Sequence, residues 1–227
     1  MKRTAPPAEA PVRATGAEMR PAVRERLHEA VLIELGESWP GEVDLEKVLA
    51  EAGISAAEFR AEYPDLEACA MAAYEGLTRR FDTVVRNACR DAAATLGRST
   101  SSWPGRVRYG LEAVLAAIAA NPRLARALAL GFPALGSEAQ RRHHAFVESF
   151  APMLTEGRQL AEAAAELPRE LETFALGAVD AIVFERIASG RADELPRMAP
   201  EILFSLLTPF LGPERATAEM EKAGFKG

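Results

Sequence analysis

From Pro21 onward the apolar residues Val23, Leu27, Ala30, Val31 and Leu35 recur at steps of three and four, the period of one face of an α-helix, until the breaker cluster SWPGE. Asp44 then stands as N-cap to a short segment, LEKVLAEA. Its Leu45, Val48 and Leu49 share a face, and Gly53 supplies the left-handed residue of a C-cap. Two residues later Ser55-x-x-Glu58 forms a capping box, each side chain satisfying a backbone donor of the other. A second short helix starts there, with Ile54 and Phe59 pointing inward. Pro64-Asp65 ends it and caps the next. From Leu66 to about Arg90 the positions Cys69, Ala73, Leu77, Phe81 and Val84 keep helical spacing over about seven turns.

The second half continues in the same period. In SSWPGRVRYGLEAVLAAIAANP, Ser102 is placed to cap and Val107, Leu111, Val114, Leu115 and Ile118 lie on one face, with a stop at Asn121-Pro122. PRLARALAL makes a short helix ending at Gly131-Phe132-Pro133. Ser137 is placed to cap a longer one that Pro152 kinks. LPRELETFALGAVDAIVFERIASG and LPRMAPEILFSLLTPFLG follow. No segment alternates with period two, so the expected fold class is all-α. The expected division is an arm over residues 1–20, a helix-turn-helix unit with its long fourth helix over 21–90, a helical body over 91–215 and a C-terminal tail over 216–227.

Composition changes this picture mainly by exclusion. The 227 residues are 48% hydrophobic and 26% charged, ordinary for a globular protein, and no run of about 18 apolar residues is present to span a bilayer. The N-terminus has basic residues but no apolar stretch of a secretory signal, so the expected location is the cytoplasm. Cys69 and Cys89 fall on one predicted helix about 30 Å apart, too far to bridge; both are expected as packed free thiols. The adjacent His143 and His144 point about 100° apart on a helix and do not chelate, one being expected at solvent and the other at a pocket wall. Neither a metal site nor a cofactor is expected. No phosphate-binding loop, nucleophile elbow or triad spacing occurs, so no catalytic residue is assigned and an enzyme is not expected.

The order of first helix and then VDLEKVLAEAGISAAEFRAEYPDLEACAMAAYEG resembles the N-terminal domain of the TetR family of bacterial transcriptional regulators over about residues 21 to 75. Ala52-Gly53-Ile54-Ser55 matches the turn, Phe59 the first aromatic, Tyr63 the aromatic that closes the recognition helix, and Glu67 the Glu that opens the fourth helix. The resemblance implies that Ser55, Ala56, Ala57, Arg60 and Tyr63, with Lys47 from the helix before, face DNA. It also implies that the remainder is a helical ligand-binding and dimerising domain. The sequence departs from the pattern where phosphate contacts belong: Arg60 replaces a Tyr, Leu66 replaces a Lys, and Ala57, Ala61 and Glu62 replace base-facing polar residues.

Charge sharpens that departure. Between Gly41 and Glu67 two basic residues stand against eight acidic ones, and the chain carries a formal net charge of −6. Phosphate neutralisation supplies most non-specific DNA affinity, so this motif starts at a disadvantage. An N-terminal arm with six basic residues against three acidic ones up to Arg26 offsets it. Arg20, Arg24 and Arg26 are placed to reach along the minor groove.

In the body, the apolar residues of the last two predicted helices wrap most of the circumference. Such helices must be covered on both sides, which predicts a homodimer through a four-helix bundle with Phe174, Ala178, Ile182, Leu203, Leu206, Leu207 and Phe210 at the interface. Trp103, Tyr109, Phe132, His143, Phe146, Phe150, Met153 and Phe174 are the candidates for a pocket between helices. Two functions follow: a regulator that binds a double-stranded DNA operator, acting as a repressor released by a small apolar effector, or a dimeric binding module that keeps the fold, has lost operator binding, and senses a ligand or protein partner.

Overall fold

A computed structural model describes residues 19–38, 42–95, 103–161 and 166–222, and all described secondary structure is helical. The arm before Met19 and the Ser102 cap lie outside the described residues. The first helix, α1 (Pro21–Ser38), buries Leu27, Val31 and Leu35 against α2 (Leu45–Ala52) and α3 (Ala56–Glu62). Asp44 caps α2 by accepting from the backbone N–H groups of Glu46 and Lys47, and Gly53 takes φ 66° at its C-terminus. The capping box of Ser55 and Glu58 opens α3. These local signals set the turn, and Phe59, Val48, Ala52 and Cys69 close a small core behind it.

The long α4 (Leu66–Thr95) leaves this unit and runs into the body, where α5 (Trp103–Ala120) packs along it. The chain then bends by 104° at Asn121, whose side chain accepts from Leu124 N and caps α6 (Pro122–Arg126). A π-helical turn, Ala127–Gly131, continues α6. The helix expected after Ser137 is divided: α7 spans Ser137–Glu148 and α8 spans Ala151–Thr155, because Pro152 lacks the N–H a continuous helix needs. The residue before α7 is Gly136, and Ser137 is already its first helical residue, so it is not the cap. Then come α9 (Leu171–Ala188) and α10 (Ala199–Leu211). The segment expected as a tail from residue 216 is instead part of a helix, α11 (Pro213–Lys222). It packs Ala216 on the main core and is held by Arg108, which donates to Lys222 O at 2.8 Å.

The main core gathers Trp103, Leu111, Leu115, Leu154, Leu195, Leu203, Leu207 and Phe210. Trp103 Nε1 donates to Met153 O at 2.7 Å and its ring meets Phe210 edge to face, so the buried indole is satisfied at both ends. The two cores join where α1 meets the π-helical turn. A Cβ on Gly131 would stand 2.5 Å from the Leu35 backbone and one on Gly36 2.7 Å from Ala127 N, so only glycine lets these backbones touch. Arg126 Nε donates to Gly36 O across the same contact at 3.2 Å, and Arg123 pairs with Glu37 at 2.6 Å. Among the described residues no single helix is long and apolar enough to cross a membrane.

Candidate functional site

Two places in this frame have the geometry to act on something else: the outer surface of the helix-turn-helix and a cavity in the body. On the first, the expected contact residues are largely held inside the chain. Ser55 Oγ accepts from Glu58 N and donates to the Glu58 carboxylate at 2.8 Å. The bond from Ser55 N, and after it the one from Ser55 Oγ, hold the Glu58 carboxyl below its usual range. Lys47 reaches back to α1, paired with Glu34 and, at 3.3 Å, with Glu37. Burial opposes the charge on Glu34, but the bonds from Lys47 and Ser38 outweigh it and keep the carboxyl low. Tyr63 Oη and His28 Nε2 are hydrogen bonded at 2.6 Å. Burial first, then the charges of Arg24 and Arg80, lower the His28 pKa and keep the ring neutral.

Arg24, one of the arginines expected to reach a groove, is paired with Glu62 at 2.5 Å. Arg26 donates to Ala52 O at 3.4 Å. Arg60 and Arg20 are exposed, Ala57 is exposed and Ala56 half-buried on the first turn of α3. The arginine–glutamate link across 38 positions was not legible, because the pattern within each helix says nothing of which helix end meets which.

The second place is an apolar cavity of about 140 Å³ enclosed by α4, α5, α6, the π-helical turn, α7, α8, α9 and α10. Of the residues expected at a pocket, His143, Phe146, Phe150 and Met153 line it. Trp103 and Phe132 are buried elsewhere: Trp103 in the main core, Phe132 stacked on Tyr74 at 3.7 Å. Tyr109 sits under the Arg108 guanidinium, 4.4 Å from it. Phe174 is 68% exposed on the outer face of α9. These four are corrections to the expected pocket, since an aromatic residue's spacing does not reveal which side of its helix the cavity occupies. Sequence reasoning missed Phe81, Leu128, Leu176 and Asp180. Asp180 did carry a signal, as the lone acid in the apolar run FALGAVDAIVF.

Asp180 belongs to a polar chain at one end of the cavity. Tyr74 Oη lies 3.1 Å from His143 Nδ1, and His143 Nε2 lies 3.4 Å from Asp180 Oδ1. A carboxylate only accepts, so the nitrogen facing it carries a proton, and in the neutral tautomer the Tyr74 hydroxyl then donates to Nδ1. Burial, reinforced by the Asp180 charge, pushes the Tyr74 pKa upward and keeps that donor in place. The chain of groups ties α4, α7 and α9 together beside the cavity. His144, by contrast, points outward to Glu148 at 3.1 Å.

The expected dimer residues also divide. Leu203, Leu206, Leu207 and Phe210 are all buried in the chain's own core, with at most 5% exposure, which removes them from an outer interface. The reason is α11 and the residues 192–198, which cover the side of α10 that an apolar helix needs covered. Phe174 and Ala178 are exposed on α9, together with Gly177, Ala181 and Phe184, while Ile182 is half-buried. The exposed positions follow helical steps and form one stripe.

A helix-turn-helix unit joined by a long helix to an all-helical body with a central cavity defines the architecture of a TetR-like fold. No known family profile and no curated protein matches the chain. Among solved structures, it is similar to the fatty acid degradation regulator FadR from Bacillus halodurans, at 15% identity and a TM-score of 0.67, covering 81% of this chain and 97% of that one. It is also similar to a TetR family transcriptional regulator from Chloroflexus aurantiacus J-10-FL, at 19% identity and a TM-score of 0.50, covering 92% and 94%. The fold of this chain is TetR-like, over nearly the whole length of both regulators.

Proposed function

We propose that the chain is an effector-responsive transcriptional regulator that acts as a homodimer on double-stranded DNA, a repressor released when a small, mainly apolar molecule enters the cavity. The observation that carries this reading is the backbone contact between Gly36 and the π-helical turn. Leu128 and Ala129 of that turn line the cavity, and the other side of the same turn bears on the last turn of α1. A π-helical turn holds a register one residue out of step with the α-helix, which makes it a natural place for a change of winding. Filling the cavity would press on this turn and on α4 through Tyr74 and His143. Either displacement tilts the helix-turn-helix unit and changes the separation of the two recognition helices from the roughly 34 Å that successive major grooves require. The exposed α9 stripe supports a second copy as the neighbour that sets this separation.

The test is fluorescence anisotropy of the purified protein on duplex DNA from around its own coding region, at several salt concentrations, with unrelated duplex as competitor. Competitor-resistant binding with a steep salt dependence is expected. Absence of binding at low salt sinks the operator reading. A second reading, a dimeric binding module that has lost operator affinity, is favoured by one observation: Arg24, Lys47, Ser55 and Tyr63 are all engaged within the chain.

A further inference from the structure

Among the described residues, the cavity's lining contains no Lys or Arg. Its charged group is Asp180, with His143 beside it, and every other residue around it is apolar. Three of those are aromatic. Phe146 meets Phe81 edge to face with ring centroids 5.9 Å apart and Phe150 likewise at 5.4 Å, so the rings form a corner and do not lie in one stack. The Asp180 side chain is 38% exposed, so its carboxylate lines the cavity while remaining in contact with solvent. One of its oxygens faces His143 Nε2, and a second acceptor oxygen remains.

We propose that the effector is a lipophilic cation: a compact apolar body carrying one ammonium-type charge that sits against Asp180 among Phe81, Phe146 and Phe150. This rests on the reading of the cavity as the effector site. A carboxylate whose neighbour is an imidazole, with no Lys or Arg among the described lining residues, repels an anionic head, so a free fatty acid would bury its charge beside a like charge with no fixed cation to offset it. A cation finds a counter-ion and the negative faces of aromatic rings at the same place. A neutral hydrocarbon gains the apolar contacts alone. A cavity of this size suits a single substituted ring or a short branched chain.

The experiment is calorimetric titration of the full chain with three probes of similar size: benzyltrimethylammonium, its uncharged carbon isostere neopentylbenzene, and 4-phenylbutanoate. The cation is expected to bind about tenfold more tightly than the isostere. Asp180→Asn should remove that preference while leaving neopentylbenzene binding unchanged, which also certifies that the variant is folded. Asp180→Lys should turn the preference toward 4-phenylbutanoate. Equal or tighter binding of the isostere or the anion to the unaltered chain overturns the cation proposal and leaves the effector site standing. No binding of the two ionic probes at millimolar concentration, or of neopentylbenzene up to its solubility, overturns both.

Discussion

The helix-turn-helix unit and the body treat their polar groups in opposite ways. In the first, side chains that a DNA-binding surface would present are closed on one another: Ser55 on Glu58, Lys47 on Glu34 and Glu37, Tyr63 on His28, Arg24 on Glu62. In the second, a cavity of about 140 Å³ has one carboxylate, Asp180, among its described lining residues. A group already engaged within its own chain must exchange one partner for another before it can bind, so the net gain is only the difference between the two contacts. An apolar void has no such contacts to exchange, and Asp180 beside it faces His143 through one oxygen and keeps the other as an acceptor. On the proposed function, ligand affinity would be built into the body, whereas DNA affinity would depend on what the helix-turn-helix can release.

The comparison breaks most completely if the two units cannot be held in a pair. Phe174 and Phe184 are 68% and 44% exposed on the α9 stripe, and burying each against a second copy would contribute about 1.5–3 kcal/mol. Replacing both with Asp is expected to weaken dimerisation by about 10²–10⁴-fold, read as a shift from dimer to monomer mass by light scattering across a dilution series. A doubly substituted protein that keeps its dimer mass would move the interface elsewhere. A smaller but sharper effect is expected at the joint between the units. Gly131→Ala forces a Cβ into the Leu35 backbone and should destabilise the chain by about 1–3 kcal/mol in chemical denaturation. If coupling runs through this contact, effector binding should survive in this variant while its effect on DNA binding is reduced. An unchanged effector response would assign the coupling to α4 instead.

The two thiols give a check on packing that involves neither site. Burial pushes the Cys69 thiol up to about 12 and raises Cys89 as well. At pH 8 both are then protonated in the folded chain, and the thiolate is the reactive form. Reaction with a thiol reagent should be slow in buffer and rapid in denaturant, with Cys69 the slower of the two; fast labelling of Cys69 in buffer would contradict the packing of α4 against α1.

What was legible in the sequence follows how local each signal is. Asp44, Gly53 and the Ser55–Glu58 box act within a few residues, and the turn they predict is the turn observed. The apolar periods marked α1 to α7, α9 and α10 but not α11, and a helix that is apolar all round does not say who covers it. Leu203 and Leu207 read as interface residues for that reason and proved to be core, because the α11 segment was read as a tail and is a covering helix. In the cavity, His143, Phe146 and Phe150 were found and Phe132 and Phe174 were misplaced. His143, Phe146 and Phe174 sit on helices and Phe132 and Phe150 in turns between them, and only the packing of those helices decides which residues look inward.

The finest test asks whether the closed polar surface of the helix-turn-helix can be opened by one proton's worth of charge. Arg24 and Glu62 are 37% and 21% exposed, and a pair in such surroundings contributes about 0–1 kcal/mol to stability. Breaking it therefore leaves the fold intact. Glu62→Gln keeps the shape of the side chain and its capacity to accept from Met19 N, removes one negative charge from the α3 surface, and frees the Arg24 guanidinium. If that guanidinium lies within reach of a phosphate, DNA binding should tighten by a few-fold and the dependence of log affinity on log salt should steepen by about 0.9 per subunit, the counterion released by one further phosphate contact. A tighter complex with an unchanged slope would mean only that a repulsion had been removed. An unchanged affinity would mean that Arg24 does not face the duplex, and that the helix-turn-helix of this chain is held shut by more than one ion pair.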